Sequence, residues 1–199
     1  MGLIWGLQLL ECSSVRCIKW RKMKMTKAIF WDIDKCVNCY TCVVACKVKH
    51  MSPPYPVNPP LAEPKGINLI NVIHLGPEIR EGGVSQSFVY ISCMHCVDAP
   101  CIRSCPTSAI YKDSETNITL VNRERCIGCR FCLWVCPFGA PSFGVEGKLL
   151  LCDICIDRIK EGKKTACEAA CVARAIITAT PEEIAEMKAR KASKRIAQA

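Results

Sequence analysis

Apolar positions along the chain come in short blocks, each cut off by a cysteine, a proline or a charge, which predicts small strands joined by loops. In MTKAIFWDIDKC such a block runs straight into a cysteine motif and reads as a short strand. In INLINVIHLG, Ile67, Leu69 and the run from Val72 to Leu75 predict a second strand, FVYI from Phe88 a third, and ITLVNRERC another that feeds cysteines. A brief helix is expected after each tight cysteine motif. Between the first two motifs lies MSPPYPVNPPLAEPKG, whose prolines lack N–H donors and predict an extended loop over Ser52 to Pro64. The tail changes period and reads as a helix. Thr180 is placed as N-cap, Pro181 at the first helical position and Glu183 where it closes a capping box, with Lys and Arg gathered towards the C-terminal end. The pattern as a whole is α+β.

Cysteine decides what interrupts these blocks, filling 18 of 199 positions. Such a density belongs to disulfide-stapled secreted scaffolds or to metal proteins. Sixteen of the cysteines form four quartets. The first is Cys36, Cys39, Cys42 and Cys46, spaced C-x2-C-x2-C-x3-C. The second, Cys93, Cys96, Cys101 and Cys105, is C-x2-C-x4-C-x3-C followed by Pro106. Cys126, Cys129, Cys132 and Cys136 repeat the first spacing, with Pro137 after them. Cys152, Cys155, Cys167 and Cys171 make C-x2-C-x11-C-x3-C, the least specific of the four. Cys12 and Cys17 fit no motif and lie in an appendage, residues 1–24, that also carries a basic stretch. Met25 opens a segment that reads as a natural start.

The opening MGLIWGLQLL has no Lys or Arg before its apolar run, there is no twin-Arg pair, and no apolar stretch is long enough to cross a bilayer. A cytoplasmic protein with reduced thiols and no direct membrane insertion is therefore expected. A formal charge of +9 would ordinarily point to nucleic acid. Four 4Fe-4S clusters at roughly −2 each would bring about −8, so the Lys and Arg are read as compensation for cluster charge and no nucleic-acid partner is expected.

The spacings favour iron–sulfur ligation. A 4Fe-4S cube needs one thiolate at each of its four irons, and C-x2-C-x2-C lets one short loop wrap three corners. The fourth cysteine, three residues on, sits on the departing helix and in two-cluster ferredoxins ligates the other cluster. Four quartets thus imply two such pairs. Zinc usually takes two C-x2-C pairs separated by a dozen or more residues, which suits three cysteines within seven residues badly. Disulfides between cysteines this close would be strained. His95, inside the second quartet, is read as a neighbour that tunes the site rather than as a ligand, because four thiolates are already present. His50 and His74 are read as surface residues or loop contacts, and Trp31 and Trp134 as apolar shields beside cluster loops. No G-x-S-x-G elbow, H-E-x-x-H pair or phosphate-cradling loop appears, so the chain is expected to move electrons and not to transform a substrate.

With DKCVNCYTCVVAC, CMHCVDAPCIRSCP, ERCIGCRFCLWVCPFGA and LCDICIDRIKEGKKTACEAAC, residues 26 to 180 resemble the four-cluster iron–sulfur subunits that accompany molybdenum and tungsten enzymes. That family includes the beta subunits of dimethyl sulfoxide reductase, polysulfide reductase and formate dehydrogenase. It also includes small partners of tungsten aldehyde oxidoreductases and class II benzoyl-CoA reductases. The resemblance implies two interleaved 2x(4Fe-4S) ferredoxin modules, quartet one pairing with four and two with three. The implied ligand sets are Cys36, Cys39, Cys42 and Cys171; Cys46, Cys152, Cys155 and Cys167; Cys93, Cys96, Cys101 and Cys136; and Cys105, Cys126, Cys129 and Cys132. Residues 25–50 with 149–180 would form one module and 88–148 the other, with 51–87 a loop and strand insertion and 181–199 a basic helix. The resemblance further implies a larger pterin-bearing catalytic subunit as partner, possible further electron-transfer subunits, and an aldehyde or an aromatic acyl thioester as that partner's substrate. A formate-dehydrogenase or hydrogenase-linked complex is the alternative, and a zinc-binding interaction protein the alternative of another class.

Overall fold

The computed structural model describes residues 27–50, 68–81, 83–144 and 146–198. The appendage with Cys12 and Cys17 and the Pro-rich loop from Ser52 to Pro64 lie outside the described residues. In chain order the elements begin with strand β1 (Ala28–Trp31), a 3-10 turn (Ile33–Lys35), helix α1 (Thr41–His50), and strands β2 (Asn71–Arg80) and β3 (Gly83–Ile91). There follow α2 (Pro100–Arg103), β4 (Ile110–Lys112), β5 (Thr119–Val121), α3 (Phe131–Val135), β6 (Ser142–Phe143) and β7 (Leu149–Leu150). Helices α4 (Ile156–Lys160) and α5 (Ala166–Ala170), strand β8 (Ile176–Ala179) and helix α6 (Pro181–Gln198) complete the described residues.

Among the described residues the strands make four separate antiparallel pairs, and the pairing nests. β1 pairs with β8, Ala28 opposite Ala179 and Trp31 opposite Ile176, so the segment before the first quartet lies against the segment after the last. Helices α1 and α5, which carry cysteines of quartets one and four, pack on each other. Their shared core is Val43, Cys46, Ile70, Tyr90, Cys167 and Ile176, flanked by Ile29, Trp31, Leu69 and Val72. Inside this frame β4 pairs with β5 and α2 packs on α3. Here the core is Ile110, Cys132 and Leu149, bordered by Ile102, Val121 and Phe143. Full burial of a side chain such as Leu149 contributes about 1.5–3 kcal/mol relative to exposure. Both cores are small and rich in cysteine.

β2 and β3 form a hairpin that is longer than the hydropathy pattern predicts. The strand expected near Val72 to Leu75 extends to Arg80, and the one expected from Phe88 begins at Gly83, across the boundary at residue 88 drawn from sequence. Ile79 and Val84 at its far end are exposed, so backbone pairing defines that part and no apolar alternation marks it.

The capping box of α6 is present as read. The Thr180 N–H donates to Glu183 Oε2 at 2.8 Å and the Glu183 N–H donates to Thr180 Oγ1 at 3.3 Å. What the sequence did not indicate is where the helix lies. It buries no residue, and lies on β1 and the following turn through polar contacts. Lys191 pairs with Asp32 and, at 2.6 Å, with Asp34; Arg195 also pairs with Asp34, and the Lys188 ammonium sits 5.7 Å from the centre of the Phe30 ring.

Candidate metal centres

Each cysteine loop turns the same way. The residue just before the second cysteine has a left-handed backbone in all four quartets: Asn38 (φ 55), His95 (φ 46), Gly128 (φ 71) and Ile154 (φ 55). This turn lets a short loop point several backbone N–H groups at one spot, an arrangement suited to negative charge. Asn and Gly tolerate it; a β-branched Ile does so only at a cost of about 1–3 kcal/mol, which surrounding contacts must offset. In the third quartet glycine is required for a second reason, since a Cβ on Gly128 would come 2.6 Å from the Gly147 carbonyl oxygen. A similar turn recurs three residues after the departing cysteine at Ser108, Gly139 and Arg174.

Backbone N–H groups reach sulfur both from these turns and from neighbouring strand and helix starts. The His95 N–H donates to Cys93 Sγ at 3.4 Å, Leu149 N–H to Cys126 at 3.3 Å, and Ala166 N–H to Cys155 at 3.5 Å. Ala109 N–H reaches Cys105 and Ala175 N–H reaches Cys171, both at 3.2 Å, each from four residues downstream. Hydroxyls add to the set: Thr41 Oγ1 to Cys39 at 3.3 Å, Tyr90 to Cys167 at 3.9 Å, and Thr165 Oγ1 beside Cys167 at 3.4 Å.

The sulfurs converge in groups that each draw on two quartets. Cys36, Cys39, Cys42 and Cys171 line one cavity, with Trp31 in its wall. Cys93, Cys96, Cys101 and Cys136 line a second, and Cys105, Cys126, Cys129 and Cys132 a third. Cys46, Cys152, Cys155 and Cys167 make the fourth group, all four buried. Their thiols feel one another after burial has acted. Burial, then Cys167 and Cys155, pushes Cys46 up to about 12; burial, with Cys46 and Cys167 among the lesser causes, raises Cys152. Burial likewise pushes Cys42 up to about 11, Cys93 to about 12, Cys132 to about 11 and Cys155 to about 11. Cys39 goes the other way, held below the ordinary thiol value by the Thr41 hydroxyl and N–H. Cys105 is lowered too: burial opposes, but hydrogen bonds from Thr107, Ile110 and Ala109 together outweigh it.

Zinc and a 4Fe-4S cluster make different demands on their cysteines. Tetrahedral zinc, with Zn–S near 2.3 Å, holds its sulfurs about 3.8 Å apart. Among the described residues no three of these cysteines bring their sulfurs within 4.8 Å of one another, although His50, Asp153 and Cys155 bring their ligand atoms that close. Four thiols around each site, with N–H donors on several of the sulfurs, fit a 4Fe-4S cluster, which offers one iron to each thiolate. The sixteen cysteines are all free, without a disulfide.

His50, the last residue of α1, sits 3.4 Å from Asp153 Oδ1 in the fourth cysteine loop, and His74 on β2 stacks on Phe88 at 5.0 Å in an exposed position. His95 is only 2% exposed. Its Nδ1 accepts the Thr119 N–H at 3.1 Å, while burial, with Lys112 nearby, pushes the imidazole down to about 4 and keeps it neutral. One shielding expectation fails. Trp31 is half-buried beside its cavity, but Trp134 is 84% exposed. It lies two residues beyond Cys132 on α3, about 200° around the helix, so turning Cys132 inward turns Trp134 out. Sequence reasoning also passed over Thr119, whose hydroxyl is buried with no partner among the described residues. A polar residue opening a short strand beside two cysteine loops was the available signal.

Fold and site together define a multi-cluster iron–sulfur protein. Residues 84–180 match the 4Fe-4S dicluster domain. The sequence is 34% identical to a sulfite dehydrogenase subunit of Allochromatium vinosum over 163 residues, covering 74% of this chain and 66% of that protein. It is 33% identical to the formate dehydrogenase iron–sulfur subunit of Wolinella succinogenes over 179 residues, covering 78% and 82%. With a subunit of the anaerobic dimethyl sulfoxide reductase of Escherichia coli it shares 36% identity over 154 residues, covering 74% and 70%. The protein belongs to this family of iron–sulfur electron-transfer subunits, and its cofactors are 4Fe-4S clusters. Among the described residues no helix is long and apolar enough to cross a membrane.

Proposed function

We propose that the chain is the wiring subunit of a larger redox enzyme, holding four 4Fe-4S clusters on the four sulfur groups described above. The observation that carries this reading is that each group draws three cysteines from one quartet and one from another, with N–H donors around it. When bound, each cluster takes up and releases one electron. The chain's own residues fix the thiolates, exclude water through Val43, Ile176 and Leu149, and aim dipoles at the sulfurs. The nested pairing of β1 with β8 around β4 and β5 supports two interleaved ferredoxin modules, residues 25–50 with 149–180 and residues 88–148. The partner is a larger pterin-bearing molybdenum or tungsten oxidoreductase subunit, in the cytoplasm, docked with the help of the 52–64 loop and α6.

As to the partner's substrate, likeness to a formate dehydrogenase subunit over 82% of its length favours the formate reading over an aldehyde or an aromatic acyl thioester. Anaerobic pull-down from the native host tests the subunit reading. It should recover a large pterin-bearing subunit, and trimming the chain after Thr180 should weaken the complex while the iron remains. A freely diffusing monomer with no large redox partner would overturn it.

A further inference from the structure

Thr119 is 1% exposed, and its hydroxyl has no hydrogen-bond partner among the described residues. It lines the cavity bounded by Cys93, Cys96, Cys101 and Cys136. The other fully buried threonine behaves differently: Thr165 Oγ1 lies 3.0 Å from Thr178 Oγ1 and 3.4 Å from Cys167 Sγ, and accepts the Glu168 N–H. A hydroxyl is seldom buried unpaired, so the one on Thr119 needs an acceptor that belongs to the cavity.

Everything around Thr119 fixes its place. Its N–H donates to His95 Nδ1, which, being an acceptor there, puts the ring proton on the other nitrogen. Its backbone sits opposite Lys112 in the β4–β5 pair, and the Lys112 ammonium donates to the carbonyls of His95 (2.9 Å) and Asn117 (3.1 Å), tying the second cysteine loop to this hairpin. The side chain is β-branched, so its χ1 is stiff.

We propose that the Thr119 hydroxyl donates a hydrogen bond to a sulfur of the cluster held by Cys93, Cys96, Cys101 and Cys136, and so raises that cluster's reduction potential. The proposal rests on the ligand assignment made above. Reduction adds one electron and no proton, so the cluster becomes more negative, and a fixed donor to its sulfur stabilises the reduced form more than the oxidised one. His95 is then a positioning residue that holds Thr119 against the cavity.

The test is an anaerobic redox titration of the full, cluster-loaded chain followed by electron paramagnetic resonance, with iron and sulfide counted on every sample. Thr119→Val keeps the shape and removes the hydroxyl; Thr119→Ser keeps the hydroxyl and removes the methyl. In Thr119→Val one cluster should become about tenfold harder to reduce, a fall of about 59 mV for a one-electron couple, with the others unmoved. Thr119→Ser should match the parent. If Thr119→Val fails to hold its clusters, Thr119→Ala against Thr119→Ser isolates the hydroxyl in the same way. Equal potentials in hydroxyl-bearing and hydroxyl-lacking variants at full iron content would overturn the proposal. A parent chain short of about sixteen irons would instead overturn the ligand assignment.

Discussion

Two cysteine groups differ sharply in enclosure, that of Cys46, Cys152, Cys155 and Cys167 and that of Cys105, Cys126, Cys129 and Cys132. In the first all four cysteines are buried, and Cys46 and Cys167 lie in the core shared by α1, α5 and β8. In the second only Cys132 is buried, Cys129 is exposed, and Ile127, Phe131 and Trp134 stand out into solvent around it. Between these two groups motif strength runs opposite to enclosure. The exposed group rests on quartet three, the most specific pattern in the sequence; the enclosed one rests on quartet four, the weakest. A tight C-x2-C-x2-C loop wraps its cavity with its own backbone and needs little help, whereas the x11 gap depends on α1 and the β1–β8 pair to close the site. Enclosure and hydrogen bonding to sulfur set cluster potentials and resistance to water, so the two sites should differ in both.

Cysteine replacement gives the largest contrast. Cys46→Ser should lose about four irons and the cooperative unfolding of the group around β1 and β8, because a buried hydroxyl replaces a ligand shared across the core. Cys129→Ser, at an exposed corner, should lose at most about one iron and keep the fold. Iron analysis with circular dichroism melting reads both; equal losses would erase the distinction between the sites.

The tryptophans sharpen the same contrast. Trp31→Ala removes a ring packed on the first core and should cost about 2–3 kcal/mol, whereas Trp134→Ala should stay within about 0.5 kcal/mol. Denaturant melts of the cluster-loaded protein decide this. A smaller effect belongs to the tail: Thr180→Ala removes the cap of α6 and should cost about 1 kcal/mol, read as faster amide exchange in the first turn.

Much of this was legible from sequence because covalent spacing fixes it. The strands at β1 and β5, the helices after the cysteine loops and the capping box at Thr180 all follow from local pattern. Side-chain direction was harder to read. Trp134 looked like a shield because it adjoins a cysteine loop, but which way a residue faces on a five-residue helix depends on its neighbours' ligation geometry. The far end of the β2–β3 hairpin and the polar seat of α6 were hidden for a related reason. The first is held by backbone pairing and the second by ion pairs between residues far apart in the chain, which no local apolar pattern records.

The central claim is that sixteen cysteines in four mixed groups hold four 4Fe-4S clusters. Anaerobic determination of iron, acid-labile sulfide and zinc on the freshly purified chain tests it most directly. The account predicts about sixteen irons and sixteen sulfides per chain, with a brown colour that bleaches under dithionite. Iron near eight, or zinc in stoichiometric amount, would contradict it.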